Sequence, residues 1–188
     1  EGIDKTHNPE FLQMETMWTY ANYKDNIKFC EEMLQFIAKK VLGTTKIEYQ
    51  DKKIDLAKWQ ELSFLEALKK YTGLDFDVEN ENAARKLALK LKVDVSDCNS
   101  WGEILNKVFE EKVEANLIQP TIIYDFPADI SGLAKAKDDD PRFAERFEPY
   151  INGWEIGNSY SEENDPARLE AYWKEAEEAF KKGKVEEQ

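Results

Sequence analysis

The hydrophobic periodicity of this chain changes twice along its length, and those changes limit the folds open to it. Residues 10–20 alternate in the way that is typical of an extended strand, with one apolar side. From about residue 22 to residue 42 the apolar side chains recur at helical spacing, and Gly43 is suited to the C-terminal cap of such a helix. Residues 46–56 are expected to form a short hairpin around Gln50-Asp51. The first 56 residues therefore predict a strand, a helix and a hairpin.

A mostly helical block follows. Ser63 and Glu66, and again Ser100 and Glu103, match the capping box, in which a serine side chain and a glutamate three residues later satisfy free amides at a helix start. The sequence predicts helices over 63–72, 80–92 and 100–117. We interpret 57–117 as a helical insertion.

The chain then returns to β character. Residues 119–127 are β-branched and aromatic, and 146–152 and 154–162 predict two antiparallel strands that turn at Asn152-Gly153. Asp165 before a proline opens a charged helix that reaches about Lys182. The predicted fold class is α+β, an antiparallel sheet with flanking helices, divided into residues 1–56, 57–117, 118–164 and 165–188.

The charge balance limits the partners that the chain is expected to bind. Acidic residues number 39 against 26 basic residues, so the formal net charge is −13. A surface that grips nucleic-acid phosphates needs clustered lysine and arginine, so nucleic-acid binding is not expected to be the main task of this chain. RNA binding through another part stays open, and the balance suits a pocket for a cationic substrate.

Compartment and redox state are expected from two further features. No apolar run approaches the roughly 20 residues needed to span a bilayer. Cys30 and Cys98 lie far apart, without the spacing of a metal site, and are expected to be free thiols. We therefore expect a cytoplasmic protein that has no contact with a membrane.

The stretch from residue 147 to residue 165 concentrates polar and charged side chains. On a strand over 154–162, Asn158, Tyr160 and Glu162 share one face while Glu155 is out of phase. A one-residue bulge at Gly157 would bring Glu155 to that face. Glu148, on the preceding strand, would then lie near Glu155.

The residues alone leave the role of these carboxylates open. Glu148 and Glu155 are expected to have no arginine partner, so they would either have raised pKa values or share a hard cation such as Mg²⁺. Acidic strand residues that simply face water are the ordinary alternative. His7, the only histidine, is in the same way either solvated in its loop or functional.

Two separated motifs resemble the catalytic domain of class II lysyl-tRNA synthetases. The first is EG-x(4)-HNPEF-x(3)-E at the start of the chain, and the second is FE-x(6)-EIGN-x(3)-E over residues 147–162. LGTTK at 42–46, QPT at 119–121 and LA at 133–134 agree in the same order. The resemblance covers essentially all 188 residues and implies the antiparallel sheet of class II aminoacyl-tRNA synthetases.

The resemblance also implies roles for ten residues. It implies that ATP is bound by Glu1, His7, Asn8 and Phe11. It implies that lysine is bound by Glu15, Asn158, Tyr160 and Glu162, and that Mg²⁺ on the ATP phosphates is held by Glu148 and Glu155. No protein nucleophile is implied, because the lysine carboxylate itself attacks ATP.

Three departures from the family pattern accompany the resemblance. Met17 stands where many relatives have a tyrosine, and Tyr160 where they often have a phenylalanine. The chain begins two residues after the position of a phosphate-binding arginine and ends before the third class II motif, so the 188 residues alone are expected to be inactive. The resemblance implies that the parent protein is a homodimer that charges tRNA(Lys). Two alternatives stay open, a non-catalytic acidic binding module and a paralogue that ligates a lysine-like amino acid to a translation factor.

Overall fold

The computed structural model of the chain describes residue 3, residues 8–78 and residues 80–181, apart from the side chains at positions 175, 179 and 180. Within these ranges the helices are α1 (Tyr23–Leu42), α2 (Phe64–Thr72), α3 (Glu81–Lys90), α4 (Trp101–Lys112) and α5 (Pro166–Lys181). The strands are β1 (Lys46–Tyr49), β2 (Lys52–Asp55), β3 (Gln60–Ser63), β4 (Thr121–Tyr124), β5 (Arg146–Ile151), β6 (Trp154–Glu155) and β7 (Ser159–Tyr160).

A five-stranded sheet forms the centre of the molecule. Its strand order is β3-β4-β5-β6, and β7 pairs with the same strand, β5, that carries β6. All of these pairs are antiparallel except β3 with β4, which is parallel. Strand β3 lies in the region interpreted from sequence as helical, and it forms because a non-local partner supplies its ladder. The predicted α+β class is confirmed.

Helix α1 packs against one face of this sheet. It begins at Asn22, whose side chain and that of Asp25 form a reciprocal capping box, and it ends at Gly43 with φ 73°. Its buried residues Tyr23 and Ile27 contact Ile122 and Phe147 of the central strands. The helix predicted from residue 22 to residue 42 is confirmed, and it leaves the opposite face of the sheet for other elements.

That opposite face carries the larger core. Phe64 of α2 stacks on Phe109 of α4 at a centroid distance of 4.9 Å, and it contacts Phe126 at the same distance. Phe109 also meets the ring of Tyr150 on β5 edge to face. The helices of residues 57–117 therefore share their apolar core with the central sheet, which fixes α4 above β5.

The strand predicted over residues 10–20 is wrong. This segment has no strand, and its large apolar side chains are exposed: Phe11 is 70% exposed, Leu12 104% and Met17 82%. A strand is stable only when a neighbour completes its hydrogen-bond ladder, and no strand in the described ranges pairs with this segment. The apolar and polar residues alternate here as they would in a strand, but alternation alone does not supply the neighbouring strand.

Both predicted two-residue turns are confirmed. Gln50 and Asp51 have φ values of 47° and 62° between β1 and β2, while Asn152 and Gly153 have values of 57° and 74° between β5 and β6. Positive φ at both central residues is the requirement of the type I′ turn, whose twist matches that of the flanking strands. The second turn brings β6 back along β5.

The charged C-terminal helix begins where the sequence predicts. The Asp165 carboxylate accepts a hydrogen bond from the Ala167 amide at 2.9 Å, as an N-cap does. In the part of the chain that the structure describes, no helix is both long enough and apolar enough to cross a membrane.

The two cysteines provide a chemical test of this packing. Both are free thiols, and burial, followed by the charge of Glu31, raises the pKa of Cys30 to about 11. Because the thiolate is the reactive form, we expect Cys30 at pH 8 to react with iodoacetamide about a hundredfold more slowly than an unhindered thiol of pKa near 9. In a Cys98→Ser variant only Cys30 can react, so its rate is measured alone. A rate equal to that of a small free thiol would contradict the burial of Cys30.

Candidate active site

A cavity of about 580 Å³ lies between helix α4 and the central sheet. The insertion and the segment after it contribute one wall and β5 with β6 contributes the other. The cavity is lined by Asn106, Phe109, Glu110, Glu114, Phe126, Ile130, Arg146, Glu148, Tyr150 and Glu155. Four carboxylates and one guanidinium therefore face one space, and that space favours cationic groups.

The pleat of β5 determines which side chains reach this cavity. Successive residues of a strand point to opposite faces of the sheet. Arg146, Glu148 and Tyr150 accordingly face the cavity, while Phe147 packs with α1 on the other side.

The register of β6 and β7 on β5 contains one extra residue. Glu155 pairs with Tyr150, whereas Tyr160 pairs with Arg146, so the six residues 155–160 oppose the five residues 146–150. This is the one-residue bulge that the sequence predicts around Gly157. As a consequence Glu155 and Tyr160, which are an odd number of residues apart, lie on the same face as Arg146, Glu148 and Tyr150.

Glu148 is the most deeply buried charged residue of this site. Glu148 is only 5% exposed, and both oxygens of its carboxylate accept hydrogen bonds. Arg146 Nη2 donates to Oε1 at 2.6 Å, and Tyr150 Oη donates to Oε2 at 2.5 Å. The expectation that these carboxylates lack an arginine partner is wrong, because Arg146 lies two residues before Glu148 on the same face of the strand.

Burial and mutual repulsion raise the pKa values of the two carboxylates in this cluster. Burial raises the pKa of Glu148, although the Arg146 charge opposes that effect. Partial removal from water, followed by repulsion from Glu148, raises the pKa of Glu155 to about 7, even though Glu155 sits at the open mouth of the cavity. Desolvation is the larger cause of both shifts, and it outweighs the opposing charge of Arg146.

The donor set of Glu148 and Glu155 fits magnesium held jointly with a substrate. Magnesium takes oxygen ligands and is commonly bound through one or two carboxylates together with substrate phosphates. Within the described ranges, no group of three or more His, Cys, Asp or Glu side chains is arranged to hold a metal ion. Two carboxylates in one open cavity thus suit an ion that receives its other ligands from phosphate and water.

Two of the residues expected to bind lysine, Tyr160 and Asn158, lie beside Arg146. Burial, and then the negative charges of Glu162 and Glu15, raise the pKa of the Tyr160 phenol, while Arg146 lowers it. Asn158 Oδ1 accepts a hydrogen bond from Arg146 Nε at 3.1 Å. Tyr160 and Asn158 thus share Arg146 as a neighbour, and the negative charges of Glu162 and Glu15 act on Tyr160.

The residues expected to bind ATP are less fully defined. Glu1 and His7 lie outside the described residues. Asn8 and Phe11 are both exposed, and neither lines the cavity. Their expected roles stay predictions.

Sequence reasoning missed two kinds of residue in this site. Arg146 had a signal, since it precedes Glu148 by two positions on a predicted strand and so shares its face. Glu110 and Glu114 had none, because they reach the cavity only through the packing of α4 on the sheet.

Comparison with known proteins gives a consistent result. Residues 1–188 match the family described as tRNA synthetases class II (D, K and N). Lysine–tRNA ligases of Bacillus cereus strain B4264 and Pelotomaculum thermopropionicum are 47% and 48% identical to this chain over 94% and 88% of its length. The matched regions make up 37% and 34% of those relatives, so the chain spans about a third of their length.

The acidic wall contributed by the insertion has a measurable effect on stability. Burial, then repulsion from Glu110 and Glu148, raises the pKa of Glu114. The folded state therefore holds this proton more tightly than the unfolded state, so stability is fully present at acid pH and falls as pH rises through the folded pKa. We expect Glu114→Gln to raise the melting temperature at pH 8 and to change it little near pH 4.

The exposed Glu111, three positions earlier, provides the matched control for this measurement. Glu111→Gln should leave the pH dependence of thermal unfolding as it is in the unmodified chain. If Glu114→Gln destabilised the protein equally at both pH values, the repulsion inferred for this wall would be absent.

Proposed function

We infer that the protein containing this chain is a lysine–tRNA ligase, because the chain belongs to the family of class II tRNA synthetases (D, K and N). The observation that favours lysine among the substrates of that family is the environment of Tyr160, a partly buried ring on which the negative charges of Glu162 and Glu15 both act. A buried ammonium is very costly unless it is paired, so a region with two carboxylates selects a cationic side chain over a neutral one.

Four residues are proposed to bind the amino acid. Glu162 meets the side-chain ammonium, Glu15 contacts the bound lysine, and Tyr160 forms an aromatic wall. Asn158 lies near the lysine carboxylate. Its hydrogen bond from Arg146 supports this role, because an arginine only donates, so Asn158 presents its oxygen to Arg146 and keeps both amide hydrogens for an acceptor such as a carboxylate.

The other residues are proposed to bind ATP and its metal. Glu1 receives the adenine amino group, Phe11 stacks on the adenine, and His7 and Asn8 approach the nucleotide. Glu148 and Glu155 would hold Mg²⁺, which when bound neutralises charge on the ATP phosphates. The shared cavity and the raised pKa values of these two carboxylates support that assignment.

The proposed reaction has two steps. An oxygen of the lysine carboxylate attacks the α-phosphorus of ATP, pyrophosphate leaves, and lysyl-adenylate forms. The terminal ribose hydroxyl of tRNA(Lys) then attacks the lysyl carbonyl, and AMP leaves. This chain contributes by orienting the lysine carboxylate and by matching the ammonium with fixed negative charge, so positioning supplies most of the catalysis.

The activity is proposed for the parent protein, since the chain spans 37% of the B. cereus relative. We propose that the parent is a cytoplasmic homodimer, following the family resemblance. We also propose that the 188 residues alone are inactive, because Phe11 and Glu15 lie on an exposed segment with which no strand of the described residues pairs.

The proposal is tested by exchange between labelled pyrophosphate and ATP in the parent protein. We expect exchange that depends on lysine, because the carboxylates around Tyr160 pair with a cationic side chain. Aspartate and asparagine, the other substrates of the family, serve as matched controls and should give background exchange. Exchange that is equal without an amino acid, or stronger with aspartate, would overturn the assignment.

A second test separates the lysine subsite from the ATP subsite. Glu162→Gln in the parent should raise the KM for lysine by about ten- to hundredfold, the effect of losing one charged partner, with little effect on the KM for ATP. Glu170→Gln on the exposed surface of α5 is the matched control. An unchanged KM for lysine would remove Glu162 from the pocket.

A further inference from the structure

Arg146 makes four hydrogen bonds within the candidate site. Its side chain is 18% exposed, and these bonds leave its guanidinium in different directions. Nε donates to Asn158 Oδ1 at 3.1 Å, Nη2 to Glu148 Oε1 at 2.6 Å, and Nη1 to Ser131 Oγ at 3.1 Å and Ile130 O at 3.2 Å. The guanidinium therefore has a single orientation.

Two of these acceptors belong to different parts of the proposed reaction. Asn158 is assigned to the lysine carboxylate and Glu148 to the metal on the ATP phosphates. A planar guanidinium with donors in a rigid fork fixes the distance and the angle between two acceptors, whereas the flexible ammonium of lysine does not. Arg146 thus relates the orientation of the Asn158 amide to the position of the Glu148 carboxylate.

The remaining contacts hold the guanidinium itself in place. Ser131 Oγ accepts from Arg146 and donates to the Pro127 carbonyl at 2.8 Å, and the guanidinium lies 4.9 Å above the ring of Phe126. These groups lie on the loop after β4. Because the loop after β4 fixes the guanidinium of Arg146, that guanidinium is suited to orienting Asn158 and Glu148.

We propose that Arg146 is a positioning residue that couples the lysine subsite to the ATP subsite by holding Asn158 and Glu148 in one arrangement. The inference rests on the proposed lysine–tRNA ligase function. It adds a residue to which neither the family resemblance nor the carboxylate assignments gave a role.

The proposal predicts different kinetic effects for Arg146→Lys and Arg146→Ala. Arg146→Lys keeps a positive charge beside Glu148 but loses the fork that orients Asn158. It is therefore expected to raise the KM for lysine about tenfold, the effect of one lost charge-assisted hydrogen bond, and to change the KM for ATP by less than about twofold. Arg146→Ala leaves Glu148 without its cation and is expected to raise both KM values.

The experiment uses pyrophosphate exchange in the full-length parent, with active sites counted by titration so that kcat refers to folded enzyme. Arg142→Lys is the matched control, because Arg142 is an exposed arginine nearby that pairs with Asp140 and Asp77 and contacts neither Asn158 nor Glu148. It should leave both KM values unchanged. A purely structural role for Arg146 would lower the number of active sites and leave the KM values of the remaining sites as they are, and that result would overturn the proposal.

A double-mutant cycle tests whether Arg146 acts through Asn158. In an Asn158→Ala background, Arg146→Lys should raise the KM for lysine by less than about twofold further, because the group that it orients is already absent. Effects of the two changes that multiply in full would overturn the coupling. Since Arg146→Lys keeps the charge in the buried network, the cycle remains informative if Arg146→Ala fails to fold.

The outcome also separates this inference from the function on which it rests. If the unmodified parent shows no lysine-dependent exchange, the proposed function fails. If the parent shows that exchange and Arg146→Lys behaves like Arg142→Lys, the function stands and the role of Arg146 fails.

Discussion

A carboxylate removed from water must be matched by hydrogen bonds and charge, and Glu148 imposes this requirement on the whole site. With 5% of the residue exposed, its ionised form is tenable only because a guanidinium and a phenol reach both oxygens. The guanidinium in turn needs fixed acceptors. These are the side chain of Asn158, just before β7, and that of Ser131, in the loop after β4. One buried charge therefore organises strands, loop and cavity together.

The insertion takes part in this arrangement as a wall of the site. Phe109 stacks on Phe64 and touches Tyr150, so the same apolar packing that fixes helix α4 also determines how far its acidic end lies from β5. Glu114 follows that helix into the cavity. The electrostatic field in the cavity is consequently set from two sides by parts of the chain that are distant in sequence.

A structural feature could be predicted from the sequence when the residues that determine it lie close together in the chain. Helix α1 was predictable because its limits, Asn22 and Gly43, act within a few residues of the helix ends. The bulge was predictable because Gly157 lies at the point where Glu155 falls out of step with the alternation of Asn158, Tyr160 and Glu162. The parallel pairing of β3 and the unpaired state of residues 10–20 were not, because both depend on partners elsewhere in the chain. Arg146 was predictable in principle, since its phase on β5 already placed it beside Glu148.

The bulge between Glu155 and Ser159 has a consequence for how this segment can change over time. Two residues of β5 oppose three on the returning strand, and this one extra residue is what puts Glu155 and Tyr160 on the same face. Deletion or insertion of a single residue here would exchange the two faces for everything that follows, while a change of two residues would preserve them. The segment is therefore expected to tolerate changes in composition more readily than single-residue changes in length.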